Sequence, residues 1–343
     1  MSTSEKYKEG ASISNDDGAC EVIGKLQNMS TADVSLCANC GKEGEDVNNI
    51  CNKCKKTTYC NAVCKKVHKK KHKKDCEEYI RLATEKHNEE LRIAAHLHDI
   101  ELFKQPPSEE DCPICFMRLP SLDPTGRRYQ ACCGKMICSG CFYAPVYDNQ
   151  GNKVDSKKCP FCRIPAPYTD EEVRKREKKR IEANDPFAIY NYGGYYRDGI
   201  NGFPQDYTKA LELYQKAAEL GIAKAYTNIG VTYYIGRGVE VDKEKAVHYY
   251  ELAAMGGSAE ARQILGNEEI RAGKWKRAIK HFNIAVRGGS NGSLEMIKQM
   301  YSNGHATKED YTKALRSYQT YLDEIKSSQR DKAAAAGEEC RYY

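Results

Sequence analysis

The sequence has no apolar run long enough to cross a bilayer, so a membrane-spanning helix is not expected and no membrane partner follows. Its opening stretch, Met1 to Asn28, is polar and lacks the apolar core of a secretory signal, so the expected setting is cytoplasmic or nuclear. Tryptophan occurs once, at Trp275. A strong excess of one charge is also missing: 54 Lys and Arg stand against 48 Asp and Glu, a formal +6. What remains is 343 residues, 40% hydrophobic and 30% charged, enough for two or three domains.

Cysteine is the abundant exception. There are 17, an odd number, and most fall in C-x2-C pairs. In a reducing compartment such pairs serve as metal ligands far more often than as disulfides. Seven lie in 37–76 and eight in 112–162; Cys20 and Cys340 stand apart and read as free thiols in flexible ends. The formal charge therefore misleads. Fifteen thiolates holding four divalent ions bring +6 to about −1, so the whole chain does not describe a strongly basic nucleic-acid binder.

The first cluster runs Cys37-x2-Cys40-x10-Cys51-x2-Cys54-x5-Cys60-x3-Cys64-x7-His72-x3-Cys76. Eight ligands suggest two zinc ions, each in a tetrahedron of four. His72 and Cys76 are four apart and share one side of a helix; His68 is a competing ligand with poorer spacing. With Tyr59 before Cys60, the pattern resembles the MYND finger. The resemblance implies interleaved sites, Cys37, Cys40, Cys60 and Cys64 on one ion and Cys51, Cys54, His72 and Cys76 on the other. Where many members carry Gln and Trp for proline-rich peptides, this chain has Lys65 and Lys69. Those two join Lys66, Lys70, Lys71, Lys73 and Lys74 in a basic run. It reads first as a solvated helix face offsetting thiolate charge, and second as a patch for nucleic acid or an acidic partner.

The second cluster runs Cys112-x2-Cys115-x16-Cys132-Cys133-x4-Cys138-x2-Cys141-x17-Cys159-x2-Cys162. It resembles a RING finger of an all-cysteine type. The resemblance implies Cys112, Cys115, Cys138 and Cys141 on one zinc and Cys132, Cys133, Cys159 and Cys162 on another. Lys135 occupies the usual histidine position and cannot ligate, so the adjacent Cys132 and Cys133 would both have to bind. By the same resemblance Ile114, Pro160 and Arg163 would contact a ubiquitin-conjugating enzyme, with Arg163 able to hydrogen-bond the enzyme and ubiquitin together.

From about Asp185 the chain repeats itself. Asp206-Tyr-Thr-Lys-Ala210-Leu…Ala217-Ala218…Gly221 returns 36 residues later as Asp242…Ala246…Ala253-Ala254…Gly257. A shortened copy runs Trp275…Ala278…Ala285…Gly289, and a fourth begins at Asp310. This period indicates stacked helical pairs. Ile229-Gly230-x2-Tyr233-x2-Gly236-x-Gly238-Val239-x2-Asp242 resembles the Sel-1-like repeat, a relative of the tetratricopeptide repeat, which implies a protein-binding scaffold. The third copy lacks the Gly-Val-x2-Asp loop, which predicts a shorter turn.

The expected fold is mainly α, two small zinc-stabilised modules followed by an α-solenoid of about four helical hairpins. The expected divisions are a disordered leader at 1–36, the MYND-like module at 37–76 and a helical linker at 77–107. A RING-like module at 108–165, a charged helical linker at 166–184, repeats at 185–325 and a flexible tail at 326–343 complete them. The linker helix after Glu77 is read from Ile80, Leu91, Ala95, His98 and Leu102; the later one opens on a Thr169 cap. Function is read as RING-type ubiquitin ligation, with a conjugating enzyme and protein substrates as partners and no nucleophile or general base in the chain. A non-catalytic zinc-binding adaptor and a nucleic-acid-associated regulator are the alternatives. His87, His96, His98, His248, His281 and His305 read as surface or packing residues, and Trp275 as core.

Overall fold

The structure is a computed structural model and describes residues 36–42, 44, 47, 49–107, 110–121, 125–144, 158–167 and 169–342. The expected leader, save Leu36, and Cys20 lie outside these residues. Two compact units emerge, Met1–Asp99 and Ile100–Tyr343.

In the first unit β1 (Asn49–Ile50) pairs antiparallel with β2 (Thr58–Tyr59), and helix α1 (Ala62–Leu102) follows. The helix that carries His72 and Cys76 and the expected linker helix after Glu77 are one continuous element, which starts inside the cluster. Asn61 Oδ1 accepts the Cys64 N–H at 2.8 Å and starts it there, and nothing breaks it before Leu102. Of the positions whose spacing predicts the helix, Leu102 is buried, Ile80 and His98 are half-buried, and Leu91 and Ala95 are exposed. Solvent-exposed ion pairs such as Arg81–Glu85 and Lys86–Glu90 run along its surface. The ligands His72 and Cys76 are the side chains that anchor its early turns.

In the second unit Leu102, at the helix end, is buried with Ala246, Tyr250 and Leu265. Hairpin β3 (Arg127–Gln130) and β4 (Lys135–Cys138) carries the second cluster, with helix α2 (Ser139–Tyr143) behind it. Helix α3 (Asp170–Glu182) is capped by Thr169, whose hydroxyl accepts the Glu172 N–H, as the sequence predicts. It is more than a linker. Arg180 donates to the carbonyls of Ala131 and Cys132, Arg176 to that of Pro165, and Glu177 is buried under the Tyr195 hydroxyl.

Eight helices build the repeats: α4 (Pro186–Asp198), α5 (Tyr207–Glu219), α6 (Ala223–Ile235), α7 (Lys243–Met255), α8 (Ala259–Arg271), α9 (Trp275–Arg287), α10 (Asn291–Ser302) and α11 (Lys308–Ile325). One device recurs in the first three hairpins: a glycine in one helix receives a ring from the next. A Cβ at Gly193 would stand 2.7 Å from Tyr214, at Gly230 2.5 Å from Tyr250, and at Gly266 2.4 Å from Phe282. All three rings are buried. The Ala pairs Ala217–Ala218 and Ala253–Ala254 are buried too and allow close helix approach. Asp206 and Asp242 cap their helices by accepting the N–H three residues on. The predicted shorter turn is present: α8 ends at Arg271 and α9 starts at Trp275, whose first turn lacks a side-chain cap. Trp275 is half-buried, stacked 3.7 Å from His305, so it borders the core rather than filling it.

The flexible tail is corrected. Helix α12 (Ser328–Ala336) and a 3-10 turn (Glu338–Cys340) continue the fold, with Arg330, Cys340 and Tyr342 buried. The reason is packing that local sequence does not reveal: α12 lies on α2, and Tyr342 joins Tyr321 and Ile325. Cys340 is therefore a buried thiol, not one in a loose end.

Candidate metal centres

Four C-x2-C segments fold into the same turn. In each, the N–H after the second cysteine donates to the carbonyl of the first: Gly41 to Cys37 at 2.9 Å, Lys55 to Cys51 at 3.0 Å, Phe116 to Cys112 at 2.8 Å and Arg163 to Cys159 at 2.9 Å. The donor residue has φ of 72°, 59°, 55° and 62° in turn. Only one of the four is glycine. For the others this left-handed backbone costs about 1–3 kcal/mol and persists where surroundings impose it. The turn aims both sulfurs the same way. A related turn closes on Gly134 (φ 70°), whose N–H reaches the Gln130 carbonyl at 2.7 Å, and this is how the adjacent Cys132 and Cys133 both face one centre.

The sulfurs and the imidazole gather in four quartets: Cys37, Cys40, Cys60, Cys64; Cys51, Cys54, His72, Cys76; Cys112, Cys115, Cys138, Cys141; and Cys132, Cys133, Cys159, Cys162. Within each, the ligand atoms lie within 4.8 Å of one another. Sulfur separations are 3.6 Å for Cys40–Cys60, 3.7 Å for Cys51–Cys76, 3.8 Å for Cys115–Cys138 and 3.4 Å for Cys132–Cys162. A disulfide needs about 2.05 Å. A tetrahedron with Zn–S near 2.3 Å has edges of about 3.8 Å. The spacing therefore fits a tetrahedral ion and not a cross-link. His72 Nε2 stands 3.4 Å from Cys54 Sγ while its Nδ1 is 3.4 Å from the Thr57 hydroxyl, which orients the ring. His68 instead meets the Tyr59 hydroxyl, outside the quartet. Lys135 is exposed.

The electrostatics also ask for a cation. Burial first, and then hydrogen bonds shared with Cys51 and Cys54, push the Cys76 thiol up to about 12. Burial also works to raise Cys54, yet the backbone N–H groups of Lys56 and Thr57 bring it down to about 6. A packed quartet can carry one thiolate on backbone donors but not four, because each added charge repels the rest. A divalent ion removes that conflict.

Around the second module, Ile114 and Pro160 are half-buried at their turns and Arg163 is exposed. Two neighbours that the sequence reading passed over are more prominent. Phe116, just after Cys115, is 79% exposed, and Phe161, just before Cys162, is 43% exposed. An aromatic beside a ligand in a tight turn has no core to enter, and that was the signal available for finding them. The lysines Lys66, Lys69, Lys70, Lys71, Lys73 and Lys74 are exposed along α1, while Lys65 donates to Asn52. No helix is long and apolar enough to cross a membrane among the described residues.

Comparison with known proteins covers parts of the chain. The family model for the MYND finger matches residues 37–76, and that for the Sel1 repeat matches 186–222, 223–258 and 299–318. The E3 ubiquitin-protein ligase DA2 of Arabidopsis thaliana is 36% identical over 74 residues in the cysteine-rich region, 21% of this chain and 16% of that protein. An uncharacterized Neisseria meningitidis protein is 49% identical over 145 residues, 42% of this chain and 30% of that one. Among solved structures, a Sel1 repeat protein from Oxalobacter formigenes shares 30% identity with a TM-score of 0.41, covering 47% of this chain and 66% of that one. The chain thus spans under a third of the length of these two curated relatives. It carries a MYND finger at residues 37–76 and Sel1 repeats in its C-terminal part.

Proposed function

We propose that this protein is a RING-type ubiquitin ligase. Its second cysteine module would recruit a ubiquitin-conjugating enzyme and its repeats would select the substrate. The observation that carries the reading is the surface of that module. One turn in each of its quartets offers an exposed aromatic, Phe116 beside Ile114 and Phe161 beside Pro160, with exposed Arg163 following the last cysteine. Solvent-facing aromatics at a rigid site suit a partner surface. The similarity to a plant ubiquitin ligase over the cysteine-rich region supports the same reading.

Zinc at the four quartets would supply shape only. Cys132, Cys133, Cys159 and Cys162, with the Cys112 quartet, would fix the turns that present the contact residues. The chain itself would act by orientation. A substrate lysine amine attacks the thioester carbonyl on the conjugating enzyme. The isopeptide bond forms, the carbon–sulfur bond breaks, and the enzyme's thiol leaves. Arg163 would hold enzyme and ubiquitin in the reactive pose through its planar fork of donors.

The test mixes the zinc-loaded chain with activating enzyme, a panel of conjugating enzymes, ubiquitin and ATP. Ubiquitin conjugates that fall about tenfold or more in Arg163→Ala and in Phe116→Ala support the ligase. Absence of conjugates with every enzyme of the panel sinks it in favour of a zinc-binding adaptor.

A further inference from the structure

The C-terminal helix α12 reaches the second module through one side chain. Arg330 is wholly buried, at 0% exposure. Its Nη1 donates to the Ile325 carbonyl at 2.6 Å, and its Nη2 lies 3.9 Å from Cys115 Sγ. The gap it enters exists because residue 140, between Cys138 and Cys141, is glycine; a Cβ there would stand 2.7 Å from Arg330 Cγ and 2.9 Å from its backbone nitrogen. Next to it, Gln329 Oε1 is 3.8 Å from Cys141 Sγ. Among the described residues no carboxylate forms an ion pair with Arg330.

A guanidinium buried without a counter-charge costs several kcal/mol. The anionic groups around this one are sulfurs. Four thiolates on one divalent ion leave a net charge of −2 in a buried place, and a cation against them offsets half of it. The other quartet of the module is treated differently. There Arg180 donates to the backbone carbonyls of Ala131 and Cys132, not to a sulfur.

We propose that Arg330 is a positioning residue of the Cys112, Cys115, Cys138, Cys141 centre, donating an N–H to the Cys115 thiolate, so that residues 326–342 complete a metal site more than 150 positions earlier in the chain. The proposal rests on the metal reading of that quartet. It also means that the second module cut out at residue 165 lacks part of its own metal environment.

The test uses the full chain loaded with zinc, comparing wild type, Arg330→Met and, as control, Arg180→Met. A chelator is titrated in, and intact-protein mass spectrometry with cysteine alkylation shows which quartet has lost its ion. Removing an outer partner of a metal ligand weakens metal binding about 10–100-fold. That loss is expected at the Cys112 quartet alone in Arg330→Met, with Cys115 the first sulfur alkylated, and not in Arg180→Met. Equal retention in wild type and Arg330→Met overturns the proposal. A wild-type protein with no ion at this quartet overturns the metal reading instead, which keeps the two failures apart. Should Arg330→Met fail to fold, wild type loaded with cadmium-113 decides. A scalar coupling between an Arg330 guanidinium proton and the metal, carried through the N–H···S contact, is expected, and its absence in a spectrum that resolves that proton overturns the proposal.

Discussion

The cysteine modules and the repeats solve the same problem by opposite means. In the repeats the buried side chains are Ala210, Tyr214, Ile229, Tyr250, Phe282 and their like, and a ring fills the space left by a glycine on the preceding helix. Stability there is spread over area. In the modules the buried apolar set is small, with Val47 and Tyr59 in the first and Leu119, Met136 and Ile137 in the second, and the rest are sulfurs. Four turns hold left-handed backbone there, three of them at a residue other than glycine, where it is unfavourable. Such a fold depends on a few point bonds. The difference teaches where each region should fail, and substitutions can sharpen or break it.

The largest effect belongs to the metal. Cys132→Ser should lower the zinc content from four ions to three per chain. A structural zinc contributes about 10–16 kcal/mol of apparent binding energy, more than a small module has to spare. Near-UV circular dichroism of the second module should collapse while the helical far-UV signal largely persists; four ions retained would contradict this. Next comes the repeat core. Tyr250→Ala should destabilise the repeats by about 3–5 kcal/mol in urea, with zinc content unchanged. Loss of zinc in that variant would break the contrast. Gly230→Ala puts a methyl 2.5 Å from the Tyr250 ring and should cost about 1–3 kcal/mol. Asp242→Ala removes a cap and should cost about 1 kcal/mol, and a neutral result would show the α7 start is held otherwise.

The smallest effect is a pH dependence. Burial raises the Glu177 carboxyl above its ordinary range, against the hydrogen bond from Tyr195. A folded value above the unfolded one, which is about 4.3, means that this group's stabilisation is full at low pH and is lost as pH rises through the folded value. Glu177→Gln lacks that loss. Its stability relative to wild type is expected to grow as pH rises above the unfolded value of about 4.3 in urea titrations, levelling off past the folded value. A difference that stays constant from acid to neutral pH would contradict the assignment.

Much of this was legible in the chain. The C-x2-C spacing marked the ligands, a local signal, and the family resemblances implied the four groupings that the fold brings together. The 36-residue period gave the paired helices, and the missing loop of the third copy gave its shorter turn. The rest was hidden for a physical reason: it depends on contacts between distant segments. Nothing near Arg330 says that residue 140 will leave it a gap, and nothing near Ser328 says that α2 will cover it. Helix α1 was legible in part: its Asn61 cap lets it start at Ala62, and the spacing that predicts it ends on buried Leu102 but runs through exposed Leu91 and Ala95.

Native mass spectrometry of the purified full chain, with and without thiol alkylation, tests the central claim most directly. The expected result is four zinc ions per chain, with Cys37 through Cys76 and Cys112 through Cys162 protected from alkylation until a chelator is added. A folded chain holding two ions or fewer, or one whose cysteines are joined as disulfides, would contradict it.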